Sequence, residues 1–255
     1  METEIACLPA FEDNYIWCLI RDGLAAVVDP GDAAPVLDHL ARSGHRLCAI
    51  LITHHHRDHT GGIADLTARF PVPVFGPVAE AIPGVTRPVA GGDRVELPEL
   101  GLDFQVLDVA GHTRGHVAYY RRGTLFCGDT VFGCGCGKLF EGTAAQLHAA
   151  LARIAALPAE TQIYSAHEYT ASGIRFASAV EPGNPAVAAR GEQVHRLLAR
   201  RQPTVPFSLA DELATSPFFR CREPAVVAAA QTYAGRALTD EVQTFTALRT
   251  WRDHF

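Results

Sequence analysis

Apolar residues form short β-rich runs along the first two thirds of the chain and recur at helical spacing over the last third. NYIWCLI and LAAVV, between Asn14 and Val28, are separated by Arg21-Asp22-Gly23, which predicts a hairpin closed off by Asp29-Pro30-Gly31. Asp32 is placed to cap a helix running to about Arg42, with Gly44 as its stop. LCAILIT is then a short apolar run of buried-strand type that ends on a histidine cluster. After Gly61-Gly62, the stretch from Ile63 to Phe70 has helical spacing, and short strands recur between Pro and Gly from Val72 to Cys127. A helix over Ala144 to Leu157 and a strand QIYSA lead up to His167.

Beyond Glu168 the β-branched clusters vanish. TASGIRFASAV, PAVAARGEQVHRLLARR, PAVVAAAQTYAG and DEVQTFTALRTWRD all favour helix, with Pro203 to Pro206 as a loop among them. The chain therefore reads as α/β: stacked sheets covered by helices over residues 1–168, then a helical domain over 169–255.

Composition narrows the classes. With 255 residues, 48% hydrophobic and 20% charged, the chain has ample material for a packed core. A net charge of -6 offers no basic field for nucleic acid or anionic lipid. No apolar run approaches membrane-spanning length, and METEIACLPAF carries acids where a secretory signal carries Lys or Arg, so a soluble, cytoplasmic protein is expected. A monomer is the separate expectation for its assembly. The seven cysteines form no regular framework, and reduced thiols are the expectation. Cys134 and Cys136 in GCGCG are read as small fillers of a tight loop.

The strongest chemical signal is Thr53-His54-His55-His56-Arg57-Asp58-His59-Thr60-Gly61-Gly62. In an extended stretch residues two apart point to the same side, so His54 and His56 can grip one ion, while His55 faces away. Asp58 and His59, at a turn into a helix, can reach a second ion, and Gly61 and Gly62 let the backbone pass close to the site. Imidazole and carboxylate ligands with open positions are catalytic in type, whereas structural zinc sites are closed and Cys-rich. The alternative is a solvated His-rich turn. Further ligand-type residues stand in Gly111-His112-Thr113-Arg114-Gly115-His116, Gly128-Asp129-Thr130 and Ala166-His167-Glu168-Tyr169, each at a predicted strand end.

HxHxDH, GHTxGH, GDT and HEYT, in that order, resemble the metallo-β-lactamase superfamily, whose fold is an αββα sandwich with the metals at one rim. That resemblance implies one metal on His54, His56 and His112, a second on Asp58, His59 and His167, and Asp129 bridging both. His116 is not a family ligand and is expected to pack or hydrogen-bond behind one, while His39, His45, His148, His195 and His254 are expected at the surface.

The resemblance extends to the glyoxalase II family through Pro9-Ala10-Phe11-Glu12-Asp13-Asn14-Tyr15-Ile16-Trp17, GCGCGKLFEGT, Glu181-Pro182-Gly183-Asn184-Pro185 and Ser216-Pro217-Phe218-Phe219-Arg220, so it spans essentially the whole chain. It implies hydrolysis of S-D-lactoylglutathione to D-lactate and glutathione, the second step of methylglyoxal detoxification. Lys138, Phe140, Tyr169, Arg249 and Arg252 would hold the glutathione moiety, since Arg grips carboxylates bidentately. For Arg249 and Arg252 the alternative is a solvated helix surface. Phe140 departs from the Tyr common in the family and cannot donate a hydroxyl hydrogen bond.

Two divalent ions, zinc first and iron or manganese on the same donors, would carry a net positive charge after Asp58 and Asp129. That excess would give a bridging hydroxide as nucleophile near neutral pH. Within the superfamily the rival readings are a one-iron persulfide dioxygenase, a lactonase or a nuclease; outside enzymes, the rival is an inactive metal-binding protein.

Overall fold

The computed structural model describes residues 3–255. Its contacts group the chain into two compact units. The first runs to Asp108 and includes Thr113–Gly128; the second comprises Val109–His112 and Asp129–Phe255.

The first unit opens with β1 (Glu4–Ala10), β2 (Asn14–Arg21), β3 (Leu24–Val28), α1 (Ala33–Ser43) and β4 (Arg46–Leu51). It continues with α2 (Arg57–Thr60), α3 (Ile63–Arg69), β5 (Val74–Pro77) and β6 (Arg87–Val89). These strands form one sheet in the order β1-β2-β3-β4-β5-β6, antiparallel from β1 to β3 and parallel from β3 onward. A second sheet of the unit carries β7 (Arg94–Leu97), β8 (Leu102–Asp108), β9 (Val117–Arg121) and β10 (Thr124–Gly128), all antiparallel neighbours.

Local sequence explains much of this. The β2–β3 turn needs positive φ at both central residues, which Asp22 (φ 52) and Gly23 (φ 78) adopt. The Asp32 carboxylate accepts the Ala34 N–H at 2.9 Å, and Gly44 ends α1 in the left-handed region. Val36 and Leu40, on one face of α1, bury against Ile16, Val27 and Ile50, each side chain contributing about 1.5–3 kcal/mol. From Leu47 onward β4 is buried at every position, as a strand flanked by parallel neighbours requires.

Beyond β4 the ligand-bearing turn is held by the second sheet of the same unit. The Tyr119 hydroxyl donates to the Ile52 carbonyl at 2.8 Å, and Val117 N–H donates to the Thr53 carbonyl at 2.9 Å. Burial pushes the Tyr119 phenol well above its ordinary pKa, so it remains a donor.

The second unit contains β11 (Val131–Phe132), β12 (Gly135–Cys136), α4 (Ala144–Ala155), β13 (Gln162–Ser165), α5 (Thr170–Val180) and α6 (Pro185–Ala199). It ends with β14 (Phe207–Ser208), α7 (Leu209–Thr215), α8 (Pro224–Ala234) and α9 (Glu241–Asp253). The expected Pro-rich loop runs straight into β14, which pairs with β13, and then into α7. Neither element is anticipated from hydropathy: β14 is two residues long, and α7 depends on a Ser208–Asp211 capping box more than on a periodic apolar face. α4 stops at Ala155, two residues short of the expected Leu157.

Two sequence markers of the helical part meet in space. The Arg220 guanidinium grips the Glu181 carboxylate with bonds of 3.0 and 2.9 Å. Asn184 donates to Glu181 at 2.8 Å while its own oxygen caps α6 at Ala186. Among the described residues no helix is long and apolar enough to cross a membrane.

Candidate functional site

In the first unit the chain leaves β4 extended, and His54 Nε2 comes within 3.0 Å of His56 Nδ1. His54 is fully buried and His56 half-buried. Two residues on, α2 presents Asp58 Oδ2 at 3.3 Å from His59 Nε2. His55 is half-buried and meets His56 edge-on.

A buried carboxylate behind these residues sets their proton positions. Asp29 accepts the Thr53 N–H at 2.8 Å and the Thr53 hydroxyl at 2.7 Å, and lies 3.1 Å from His59 Nδ1. With Asp29 as acceptor, the His59 proton sits on Nδ1 and the Nε2 lone pair is left for a metal. Because the Thr53 hydrogen points to Asp29, its oxygen accepts from His54 Nδ1 at 3.1 Å, which likewise leaves Nε2 of His54. Asn14 donates to Asp58 Oδ2 at 2.9 Å. His116, as expected, is buried behind a candidate ligand, its ring stacked on His54 at 4.5 Å and 16°.

The glycines of the turn serve backbone packing. A Cβ on Gly61 would lie 2.5 Å from the Gly31 carbonyl oxygen, and one on Gly31 would lie 1.8 Å from the Asp58 carbonyl oxygen. Asp29-Pro30-Gly31 thus both terminates β3 and supports the ligand turn.

In the second unit Asp129 faces one imidazole with each carboxylate oxygen, Oδ2 at 3.4 Å from His112 Nε2 and Oδ1 at 3.4 Å from His167 Nε2. All three are buried. His112 Nδ1 sits 2.8 Å from the Lys138 carbonyl, an acceptor that places its proton on Nδ1. The His167 ring stacks on Tyr169 at 4.8 Å and 9°, and Phe132 meets both rings edge-on.

The same unit holds a cavity of about 260 Å³ lined by Phe132, Cys136, Lys138, Tyr169, Arg249 and Arg252 among others. Four of the five expected glutathione contacts therefore line one cavity. Phe140 is 61% exposed, its ring edge-on to His112, with the Lys138 ammonium 5.7 Å from its centroid.

The two arginines differ. Arg249 is only 6% exposed, and both its terminal nitrogens are engaged, donating to the Cys136 carbonyl at 2.8 Å and to Asp253 at 2.9 Å. Arg252 is half-buried and donates to Ser172 at 2.6 Å. Burial, then repulsion from Arg249 and Arg175, pulls its pKa below the usual guanidinium value, a strain that an anion in the cavity would relieve. A solvated helix surface thus describes neither.

Burial pushes the thiols of Cys134 and Cys136 up to about 12 and about 11, with arginine charge opposing, so both are protonated fillers at neutral pH. Of the remaining histidines, His195 and His254 are exposed, whereas His39, His45 and His148 are half-buried. Sequence reasoning missed Asp29 and Thr53 as supporting residues; an acid directly after an apolar strand, near a second strand that ends in histidines, was the available signal.

The metallo-β-lactamase superfamily profile matches residues 13–167, and the profile described as hydroxyacylglutathione hydrolase C-terminus matches 168–255. A hydroxyacylglutathione hydrolase from Alkalilimnicola ehrlichii is 53% identical over 253 residues, covering 98% of this chain and 99% of its own. One from Nitrosomonas eutropha is 50% identical over 246 residues, covering 96% of each. Among solved structures, the BLEG-1 B3 metallo-β-lactamase shares the fold with a TM-score of 0.66 at 20% identity, over 85% of this chain and 99% of its own. The α/β metallo-β-lactamase fold, the appended helical region and near full-length identity to these relatives together place this chain in the hydroxyacylglutathione hydrolase (glyoxalase II) family of the metallo-β-lactamase superfamily.

Proposed function

We propose that the protein hydrolyses S-D-lactoylglutathione and related 2-hydroxyacylglutathione thioesters to the hydroxy acid and glutathione. The observation that carries this reading lies within the second unit: Tyr169, which lines the cationic cavity, also stacks on His167. A substrate held by its glutathione carboxylates would thereby bring its thioester beside a candidate metal ligand.

His54, His56 and His112 would hold one divalent ion, Asp58, His59 and His167 the other, and Asp129 would bridge them. The donor set fits such ions. By donor type imidazole and carboxylate suit zinc, iron and manganese alike, and the family resemblance puts zinc first. Nδ1 of His54, His59 and His112 faces an acceptor, which leaves Nε2 of each for coordination. Bound there, divalent ions supply Lewis acidity that makes a water nucleophilic near neutral pH and polarises the thioester carbonyl.

The chain's own residues do the rest. Lys138 and Arg252 attract the glutathione carboxylates, Arg as a fork and Lys as a point charge. Arg249 would hold the cavity wall while adding to its positive field, and Tyr169 and Phe140 would cover the peptide. A thiol leaves without a strong acid, since its pKa is only about 8.5. On this reading residues 1–168 form the catalytic domain and 169–255 contribute most of the substrate contacts, and one chain carries every residue named.

The test is release of free thiol from S-D-lactoylglutathione by purified protein, with and without chelator, alongside metal content. Fast chelator-sensitive release with about two metals per chain is expected. Absence of release despite two bound metals would discard the glutathione assignment; a single bound iron would point to the dioxygenase reading.

A further inference from the structure

GCGCGK, residues 133–138, has glycines and small cysteines that specify little conformation of their own, yet it ends on Lys138 and contributes a wall of the cationic cavity. Its shape is imposed from outside. Gly133 seats against the start of α5, where a Cβ would lie 2.4 Å from Thr170 Oγ1, and Gly173 could carry no Cβ because the Gly133 carbonyl oxygen would be 2.0 Å away. Cys134 follows at φ 54, a left-handed conformation uncommon for any residue but glycine.

What holds Cys134 there is a fully buried acid. Its N–H is shared between both carboxylate oxygens of Glu212, at 3.0 and 3.1 Å. Arg190, from α6, pairs with Glu212 at 2.6 Å and also reaches Thr215 Oγ1 at 2.6 Å and Cys134 Sγ at 3.3 Å. Its guanidinium lies over the Phe207 ring, 5.0 Å from the centroid. Burial pushes the Glu212 carboxyl above the usual range, with Arg190 and the Cys134 amide opposing, while Glu212 holds the buried Arg190 firmly protonated. Glu212 thus meets the Arg190 guanidinium and the Cys134 N–H with the same carboxyl group.

A buried ion pair is a poor source of stability, since apolar residues of the same shape commonly do as well or better. Its value lies in fixing a geometry, and the geometry fixed here is the Cys134 backbone. From the other side Arg249 holds the Cys136 carbonyl at 2.8 Å, and His112 holds that of Lys138 at 2.8 Å.

We propose that Arg190 and Glu212 are positioning residues for the glutathione subsite: the pair clamps Cys134 so that Lys138 and the Phe132-to-Cys136 wall meet the substrate in one arrangement. Neither side chain is assigned a contact with substrate. The inference rests on the substrate reading given above, and its test is built to fail separately from it.

The central variant is Arg190→Met with Glu212→Leu, which removes both charges together and leaves the Cys134 amide without its acceptor. Hydrogen exchange over residues 131–138 should accelerate. The preference in kcat/KM for lactoylglutathione over a thioester of a small thiol should fall about tenfold, mostly through KM, as expected for loss of a hydrogen bond to a charged group. Arg190→Met with Glu212→Gln keeps an oxygen for the amide and should restore most of both; it also serves if the first pair does not fold. In a double-mutant cycle, Lys138→Ala should add little to the central variant. Unchanged loop exchange, or equal losses on both thioesters, would overturn the clamp. If the unaltered protein fails to cleave lactoylglutathione, the substrate reading falls while the exchange result still judges the clamp.

Discussion

In the first unit the candidate ligands His54, His56, Asp58 and His59 fall within six consecutive positions, and the chain presents them by leaving one strand and entering one short helix. In the second, His112, Asp129 and His167 come from three distant segments, and the cavity near them draws Lys138 from a glycine-rich loop and Arg249 and Arg252 from α9. Both units support these residues from behind with buried charge: Asp29 in the first, the Arg190–Glu212 pair in the second. The contiguous ligand turn takes the proton position of His59 from one buried carboxylate, Asp29, 30 positions away. A loop of glycines needs several long-range supports, because its own sequence resists very little.

The largest effect should come from the residue that faces two imidazoles at once. Asp129→Ala is expected to lose bound metal and activity together, by more than about a thousandfold in kcat/KM, which metal analysis beside turnover would check. Normal metal content and turnover in this variant would end the bridging assignment. Next is Asp29→Ala, which frees the Nδ1 side of His59 and the Thr53 hydroxyl. A loss of about 10–100-fold in metal affinity or activity is expected, read by chelator competition. If Asp29→Ala matched Asp129→Ala, the distinction between ligand and support would collapse.

The two arginines sharpen the comparison within the second unit. Arg249→Ala should lower thermal stability and raise KM, since it leaves the buried Cys136 carbonyl without its donor. Arg252→Ala should raise KM about tenfold with little change in melting temperature. Equal melting temperatures in the two variants would show that Arg249 is not a structural clamp.

The Glu181–Arg220 grip offers a pH test. Burial would raise the Glu181 pKa, but the hydrogen bonds from Arg220 and Asn184, with the Arg220 charge, outweigh it and leave it lowered. A carboxylate lowered on folding adds stability that is fully present above its unfolded pKa, about 4.3, and is lost as pH falls through the lower folded value. Glu181→Gln should therefore cost about 1–3 kcal/mol at neutral pH, with the gap in denaturation midpoint closing below about pH 4. A pH-independent gap would remove the ionic part of that explanation. The smallest effect is Phe140→Tyr, where one added hydroxyl on an exposed ring should tighten glutathione binding by about 1 kcal/mol at most, measured by product inhibition.

How far the sequence could be read depended on how locally each feature is encoded. The β2–β3 hairpin and α1 were legible because Asp22-Gly23, Asp32 and Gly44 act on their immediate neighbours. The ligand residues were legible because their types and spacing are themselves the chemistry. α7 was not, because its onset is a capping box beside a proline-rich segment that masks it. Asp29 looked like the end of a hairpin, since its partners Thr53 and His59 stand 24 and 30 positions away.

The sequence by itself determined the α/β fold family, the imidazole and carboxylate donors, and the cationic residues available for an anionic substrate. Tertiary structure alone decided that Arg249 is buried and engaged while Arg252 faces the cavity under repulsion, because both sit on α9 three positions apart with the same chemistry. It alone decided that Arg190, in a helix that also carries Arg196, is the arginine that meets a buried acid. Burial and partner choice are set by which surfaces the packed chain excludes from water, and no window of sequence contains that information.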